Sequence, residues 1–339
     1  MRGVTAAFVL AVAMALAFAL TNGFHDAANA IATLVATRAA RPLPAVAMAA
    51  VFNLLGPLLL GAAVANTVAK IVEPPIEVAI PVIGAGLTGA VAWNVYTWLR
   101  GLPSSSSHAL VGGLVGAALV GAGAEAVNWG GIEDGHPVGV FGVLLALAIS
   151  PLLGLAAAAL LEVGLRRALR RASYSIGRPV RRAQWVTSAW LAFSHGSNDA
   201  QKTVGVVAAL LLANGTTDSL SAPVWVELAA AVALTVGTAF GGWSIVRTIG
   251  RRIYRLRRLD GLVSQTSSAA VIIGASFIGA PVSTTQVVSS SVVGTGVGRR
   301  RLHRIRWQVV RDIGVAWITT MPAAGVLAAA VYPLWRWLA

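Results

Sequence analysis

Apolar residues occur along this chain in long blocks separated by short polar connections. Ten blocks can be marked, at 4–37, 45–69, 78–99, 107–127 and 137–165, then at 185–213, 222–246, 261–280, 284–297 and 307–333. Blocks of about 20 apolar residues predict helices that cross a hydrocarbon core of about 30 Å. The expected fold class is therefore all-α and polytopic, with five blocks to each half. The short blocks beginning near 104 and 284 read as spanning or re-entrant, and exchanging a two-span pair for a hairpin leaves the parity of crossings unchanged.

Composition supports this reading. With 57% hydrophobic and 11% charged residues among 339, and a mean hydropathy of +0.76, the chain has more apolar surface than one soluble core needs. The net charge of +14 raises nucleic acid as a partner, but the positions of the charges argue against it. Of 26 basic residues, seven lie in 166–182, six in 247–258 and six in 299–311, each run joining one apolar block to the next. That is the pattern of cytoplasmic loops under the positive-inside rule. Anionic headgroups of the lipid bilayer are then the neighbours, and no soluble domain remains to carry a nucleic-acid site. The acidic or neutral loops 128–137 and 214–225 fall outside, and both termini come out external in a multi-pass protein of the cell inner membrane. The first twenty residues also have the look of a secretory signal; the repeat described next argues against cleavage. No cysteine occurs, which excludes disulfides and thiolate metal sites.

Two pairs of motifs recur in order. "GFHDAANA" (23–30) aligns with "GSNDAQKT" (196–203) at an offset of 173, and "GLPSSSSHALVGGLVG" (101–116) aligns with "GAPVSTTQVVSSSVVG" (279–294) at an offset of 178. The pattern predicts an internal duplication: a first repeat over 1–165, a basic cytoplasmic linker over 166–184 and a second repeat over 185–339. An odd number of spans per copy inserts the second copy upside down, the inverted-repeat plan of many secondary transporters. The expected architecture is about 10–12 transmembrane helices or half-helices in two inverted repeats, with broken or re-entrant helices meeting at the midplane.

The motifs place costly polar groups inside apolar blocks. Block 4–37 is too long to be one straight span, and Asn22 and Gly23 predict a break near "TNGFHD". Past it, Asp26 and Asn29 share a helix face. In the second copy Asn198 adjoins Asp199, with Lys202 three residues on. The Pro-Ser motifs read as helix starts: Pro103 with Ser104, Ser105, Ser106 and Ser107, and Pro281 with Ser283, Thr284 and Thr285, offer hydroxyls and free N–H groups to an anion at the positive end of a helix dipole. Lys202 alone brings a full positive charge to these motifs, against two aspartates and an oxyanion. The aspartates are thus expected to be protonated, or to hold a hard cation such as sodium through Asp26, Asn29 and Asp199, when the anion is present. His25 and His108 are candidate proton carriers, and His195 resembles them.

Together "NGFHDAANAIAT", "FSHGSNDAQKTVG", "PSSSSHALVGG" and "PVSTTQVVSSS" resemble the PiT family of inorganic phosphate transporters over nearly the whole chain. The resemblance implies phosphate as substrate, free or as a metal–phosphate complex. It also implies symport with sodium or protons, no other cofactor, an inverted-repeat fold and a homodimer. Carried onto this sequence, the cation and substrate roles fall on Asp26, Asn29, Asn198, Asp199, Gln201 and Lys202, with Ser105, Ser106, Ser107, Ser283, Thr284 and Thr285 nearest the anion. The chain departs from the family signature at His25 and Lys202, where asparagine is usual, and it has no long central hydrophilic insert.

Two other readings stay open. Sulfate is a tetrahedral oxyanion of similar size. It keeps no proton near pH 7, whereas phosphate can donate hydrogen bonds, so acceptors such as Asp26 and Asp199 favour phosphate. An intramembrane hydrolase needs a Ser–His pair; Ser104 and His108 are spaced for one. In the second copy, however, Gln286 stands where His108 does, so the duplication preserves hydroxyls rather than a nucleophile and its base.

Overall fold

The computed structural model describes residues 6–133, 136–171 and 177–339. Residues 134–135 of one expected external loop and 172–176 of the basic linker lie outside the described residues. The chain folds into α1 (Ala6–Ala36), α2 (Pro42–Leu59), α3 (Ala63–Ala69), α4 (Ala79–Arg100), α5 (Ser106–Gly121), α6 (Gly139–Ala168), α7 (Gly177–Ala213), α8 (Val224–Ala239), α9 (Trp243–Arg247), α10 (Arg258–Phe277), α11 (Thr284–Gly298) and α12 (Trp307–Leu338). By length and composition, α1, α2, α4, α6 and α12 can each cross a membrane, as can α8 with the bent helical turns after it. The 37-residue α7 carries too many polar residues to be counted on composition alone. Helices α5 and α11, of 16 and 15 residues, reach about 24 and 22 Å at 1.5 Å per residue, short of a full span.

The break expected near "TNGFHD" does not occur. Helix α1 runs unbroken from Ala6 to Ala36 and α7 runs unbroken through the matching motif. The motif glycines serve close crossing instead. A Cβ on Gly23 would lie 2.1 Å from the Leu234 carbonyl oxygen of α8, and one on Gly237 would lie 2.1 Å from that of Leu20. The second copy repeats the arrangement: a Cβ on Gly196 would lie 2.3 Å from the Asn53 carbonyl oxygen of α2, and one on Gly56 would lie 2.3 Å from that of Phe193.

Breaks fall where two single spans were expected, within 45–69 and within 222–246. The first separates α2 from α3 at Leu60. The second bends the chain by 60° after α8, at Gly241 and Gly242, whose φ angles of +81° and +41° suit glycine.

The Pro-Ser motifs do start helices, and in the same way twice. Left-handed Gly101 and Gly279 (φ +64° and +69°) end the helices before them. A proline follows, and an extended serine caps the next helix: Ser105 accepts from the His108 N–H and Ser283 from the Gln286 N–H.

The halves exchange their last helices. Helix α6 packs on α10 and α11, whereas α12 packs on α4 and α5. Two apolar cores result. One gathers Phe18, Leu87, Leu114 and Leu210; the other gathers Ile31, Leu191, Ile272 and Val287. Helices α1 and α7 pass through both, and their polar stretches lie between, at residues 21–26 and 194–203. The motifs therefore sit at mid-depth, where the N-termini of α5 and α11 arrive from opposite halves.

Candidate functional site

Asp26 and Asp199 face each other there across one hydroxyl. Thr284 Oγ1 lies 3.0 Å from Asp199 Oδ2 and 3.5 Å from Asp26 Oδ2. Asp26 further accepts from Thr285 Oγ1 (2.6 Å) and Ser106 Oγ (2.9 Å), and its Oδ1 lies 3.0 Å from His25 Nδ1. Asp199 pairs with Lys202 Nζ and lies 2.8 Å from His195 Nε2. Both carboxylates are 1% exposed, so each depends on these partners for what water would otherwise supply.

The contacts repeat in pairs that follow the sequence offsets. Ser106 on Asp26 (2.9 Å) corresponds to Thr284 on Asp199 (3.0 Å). Asn29 on Thr285 (3.0 Å) corresponds to Lys202 on Ser107 (2.7 Å). His25 beside Ser104 (3.1 Å) corresponds to Asn198, which accepts from the Val282 N–H (3.3 Å). A pseudo-two-fold relation thus holds at the level of single hydrogen bonds.

Eight of the residues singled out from sequence come together: Asp26, Asn29, Ser106, Ser107, Asp199, Lys202, Thr284 and Thr285. Others brace the cluster from outside it. Ser105 and Ser283 spend their oxygens as caps, and His108 Nδ1 turns to Ser105 (2.7 Å). Gln201 accepts from the Val64 N–H at the start of α3 (2.9 Å). Asn198 donates to Ser276 and to the Ala280 carbonyl, holding the segment that leads into α11.

The expected Ser104–His108 contact is absent, because Ser104 precedes the helix on which His108 lies. Ser104 Oγ instead sits 3.1 Å from His25 Nε2 and 2.8 Å from Thr97 Oγ1. The resulting order, Ser104 to His25 to Asp26, has triad connectivity, but Ser104 is fully buried and the second copy has Asn198 in place of the histidine.

Sequence reasoning missed Asn53 and Thr97. Asn53, on α2, presents its amide oxygen 3.0 Å from His195 Nδ1 and donates to Thr238 Oγ1 (2.9 Å). Asn53 stands among apolar neighbours on both sides and Thr97 lies three residues after Asn94 within block 78–99, which is the signal the sequence offers. Asn22 lay inside a quoted motif and received only a structural role; its Oδ1 accepts from Ser106 (2.8 Å).

The carboxylate oxygens of Asp26 and Asp199 suit a hard cation. Ligand atoms of Asp26, His195 and Asp199 lie within 4.8 Å of one another. Asn29 Oδ1 is buried with no hydrogen-bond partner, one helical turn from Asp26. Hydroxyls at two capped helix starts suit an oxyanion beside it.

A family model described as the phosphate transporter family matches residues 22–178 and again 170–328. The chain is 40% identical over 323 residues to a probable low-affinity inorganic phosphate transporter of Rhizobium meliloti (strain 1021), covering 95% of this chain and 94% of that one. It is 39% identical over 328 residues to a protein of the same description from Bacillus subtilis (strain 168), covering 96% of each. A solved structure described as the sodium-dependent phosphate transporter superposes with a TM-score of 0.82 at 25% identity, over 97% of this chain and 98% of the other.

Proposed function

The chain belongs to the phosphate transporter family, and from that premise we propose that it imports inorganic phosphate by cation-coupled alternating access, with the cluster around Asp26 and Asp199 as its binding site. The observation that carries this reading is where the hydroxyl hydrogens point. Thr284 and Thr285 direct theirs at the two carboxylates, and Ser106 lies within reach of both Asp26 Oδ2 (2.9 Å) and Asn22 Oδ1 (2.8 Å). A hydroxyl has one hydrogen, so while a bare carboxylate holds it, an anion cannot use it. A cation or proton on Asp26 takes over the charge of that carboxylate and frees the hydroxyls it holds, Thr285 first among them, to turn toward phosphate. Coupling then follows from hydrogen-bond bookkeeping: the cation binds first, the anion second, and the neutralised pair crosses.

Asn29 Oδ1 and Asp26 are the proposed cation ligands. Sodium fits their hard oxygens, and His25 next to Asp26 fits a proton; the sodium-dependent structural relative favours sodium. The chain Ser104 to His25 orients Asp26 and has no hydrolytic role. Both termini lie outside in this reading, because the basic loops lie inside, and the two sequence repeats supply one half-site each.

The test is radiolabelled phosphate uptake into proteoliposomes under an inward sodium gradient or an inward proton gradient, with excess sulfate as competitor. Uptake under one gradient that resists sulfate is the expected result. Uptake under neither, or uptake abolished by sulfate, overturns the assignment.

A further inference from the structure

The two half-sites are related by sequence and by geometry, yet they differ in charge at one position. Asn29 and Lys202 correspond at the offset of 173 and make corresponding contacts, to Thr285 and Ser107. One offers a carboxamide and the other an ammonium.

Lys202 is enclosed by three acceptors: the Asp199 carboxylate, Ser107 Oγ at 2.7 Å and the Val282 carbonyl oxygen at 2.9 Å. Ser107 gives its own hydrogen to that same carbonyl (3.0 Å), so it meets the lysine as an acceptor. Three acceptors use all three hydrogens of an ammonium. None is left for an anion in this conformation. A carboxylate, a hydroxyl and a backbone carbonyl are also the kinds of oxygen that a hard cation collects. In the first half-site no basic side chain stands at the corresponding place; Asn29 turns its amide hydrogens to Thr284 and Thr285 and leaves Oδ1 buried without a partner.

We propose that Lys202 is a tethered coupling cation. Its ammonium fills in the second half-site the place that a mobile cation takes in the first. This inference rests on the transport reading above. It reassigns Lys202 from an anion ligand to a residue that sets how many cations travel with each phosphate. A buried carboxylate needs a counter-charge at every stage. Asp199 carries its own, so only Asp26 exchanges a cation with solution.

The experiment compares the wild-type chain with Lys202→Asn, which copies the first half-site into the second, and Lys202→Met, which keeps length but has neither charge nor amide oxygen. Labelled sodium and labelled phosphate fluxes are measured together in proteoliposomes, and phosphate binding to the purified proteins is measured across sodium concentrations. The expected result for Lys202→Asn is one more sodium per phosphate than wild type, or phosphate binding with a new or steeper sodium dependence, and no such gain in Lys202→Met. If Lys202→Asn keeps the wild-type ratio and sodium dependence, with phosphate affinity lowered tenfold or more, Lys202 is an anion ligand and the proposal is overturned. Loss of phosphate binding by Lys202→Asn at every sodium concentration overturns it as well. A wild-type protein that neither binds nor carries phosphate refutes the transport reading instead, which keeps the two failures distinct.

Discussion

Thr285 Oγ1 donates to Asp26 Oδ1 at 2.6 Å, joining residues 259 positions apart and tying the start of α11 to the middle of α1. This bond ties an anion-binding helix end directly to a cation-binding carboxylate. Thr285→Val keeps the shape and removes the hydrogen. A hydrogen bond to a charged group contributes about 1.5–3 kcal/mol, so phosphate KM is expected to rise roughly ten- to a hundredfold. Thr285→Ser, which restores the hydroxyl, should recover most of it. Unchanged KM in the valine variant would detach Thr285 from the anion.

The carboxylates should differ in what their loss does to the fold. Asp199→Asn strands the buried Lys202 ammonium, whereas Asp26→Asn leaves no lysine unpaired. Breaking a buried pair from one side costs about 3–5 kcal/mol. Asp199→Asn is therefore expected to lower the melting temperature in detergent well below that of Asp26→Asn, and Asp199→Asn combined with Lys202→Met should regain much of the loss. Both single variants should lose concentrative uptake. Equal melting temperatures for the two would remove the ion pair from the account.

Much of this was legible in the sequence. The duplication, the polar motifs and the helix starts at the two Pro-Ser stretches are all local patterns, set by offsets, caps and proline. The break assigned to "TNGFHD" was misread because Gly23 carries two meanings: it interrupts a helix only if nothing packs against it, and here Leu234 of α8 does. That neighbour is 211 positions away, beyond the reach of periodicity. The exchange of α6 and α12 between the halves was equally hidden, since no residue in either helix names its partner. Gln201 and Asn198 sit in the right motif, but helical geometry turns them to the α3 start and the Ala280 segment.

The glycine reading makes its own prediction. Gly23→Ala and Gly196→Ala drive a methyl into backbone carbonyls, which cannot move aside without separating the helices. Overpacking of this kind costs about 1–3 kcal/mol or more. Both variants are expected to lose most of the monodisperse peak in size-exclusion chromatography. Gly164→Ala and Gly274→Ala, in helices where nothing lies within 4 Å of the new methyl, should elute as wild type. A normal profile for Gly23→Ala would remove the close helix crossing from the account of this glycine.

The last prediction concerns which side of the site opens. On the side of the basic loops, the seam between α1, α7 and α10 is polar and buried. Thr37 donates to Gln184 (2.7 Å), and Gln265 bridges Thr187 (2.6 Å) and Thr33 (2.9 Å). Gln184 Nε2 has no partner there, nor do Ser264 Oγ and Ser268 Oγ, both buried on α10. At the same offsets on the opposite side stand Ala11, Gly86, Leu87, Ala90, Val206 and Leu210, all of them apolar and buried. Unpartnered buried polar groups are costly unless water reaches them at some stage, so the polar seam is the one expected to part in the substrate-free protein. The chain has no cysteine, and a single introduced thiol reports alone. Ser268→Cys should react with a membrane-impermeant thiosulfonate applied from the basic-loop side and be protected by phosphate with its coupling cation. Ala90→Cys should stay unreactive from either side under the same conditions. The reverse pattern would place the open path at the apolar seam, and with it the resting orientation of the transporter.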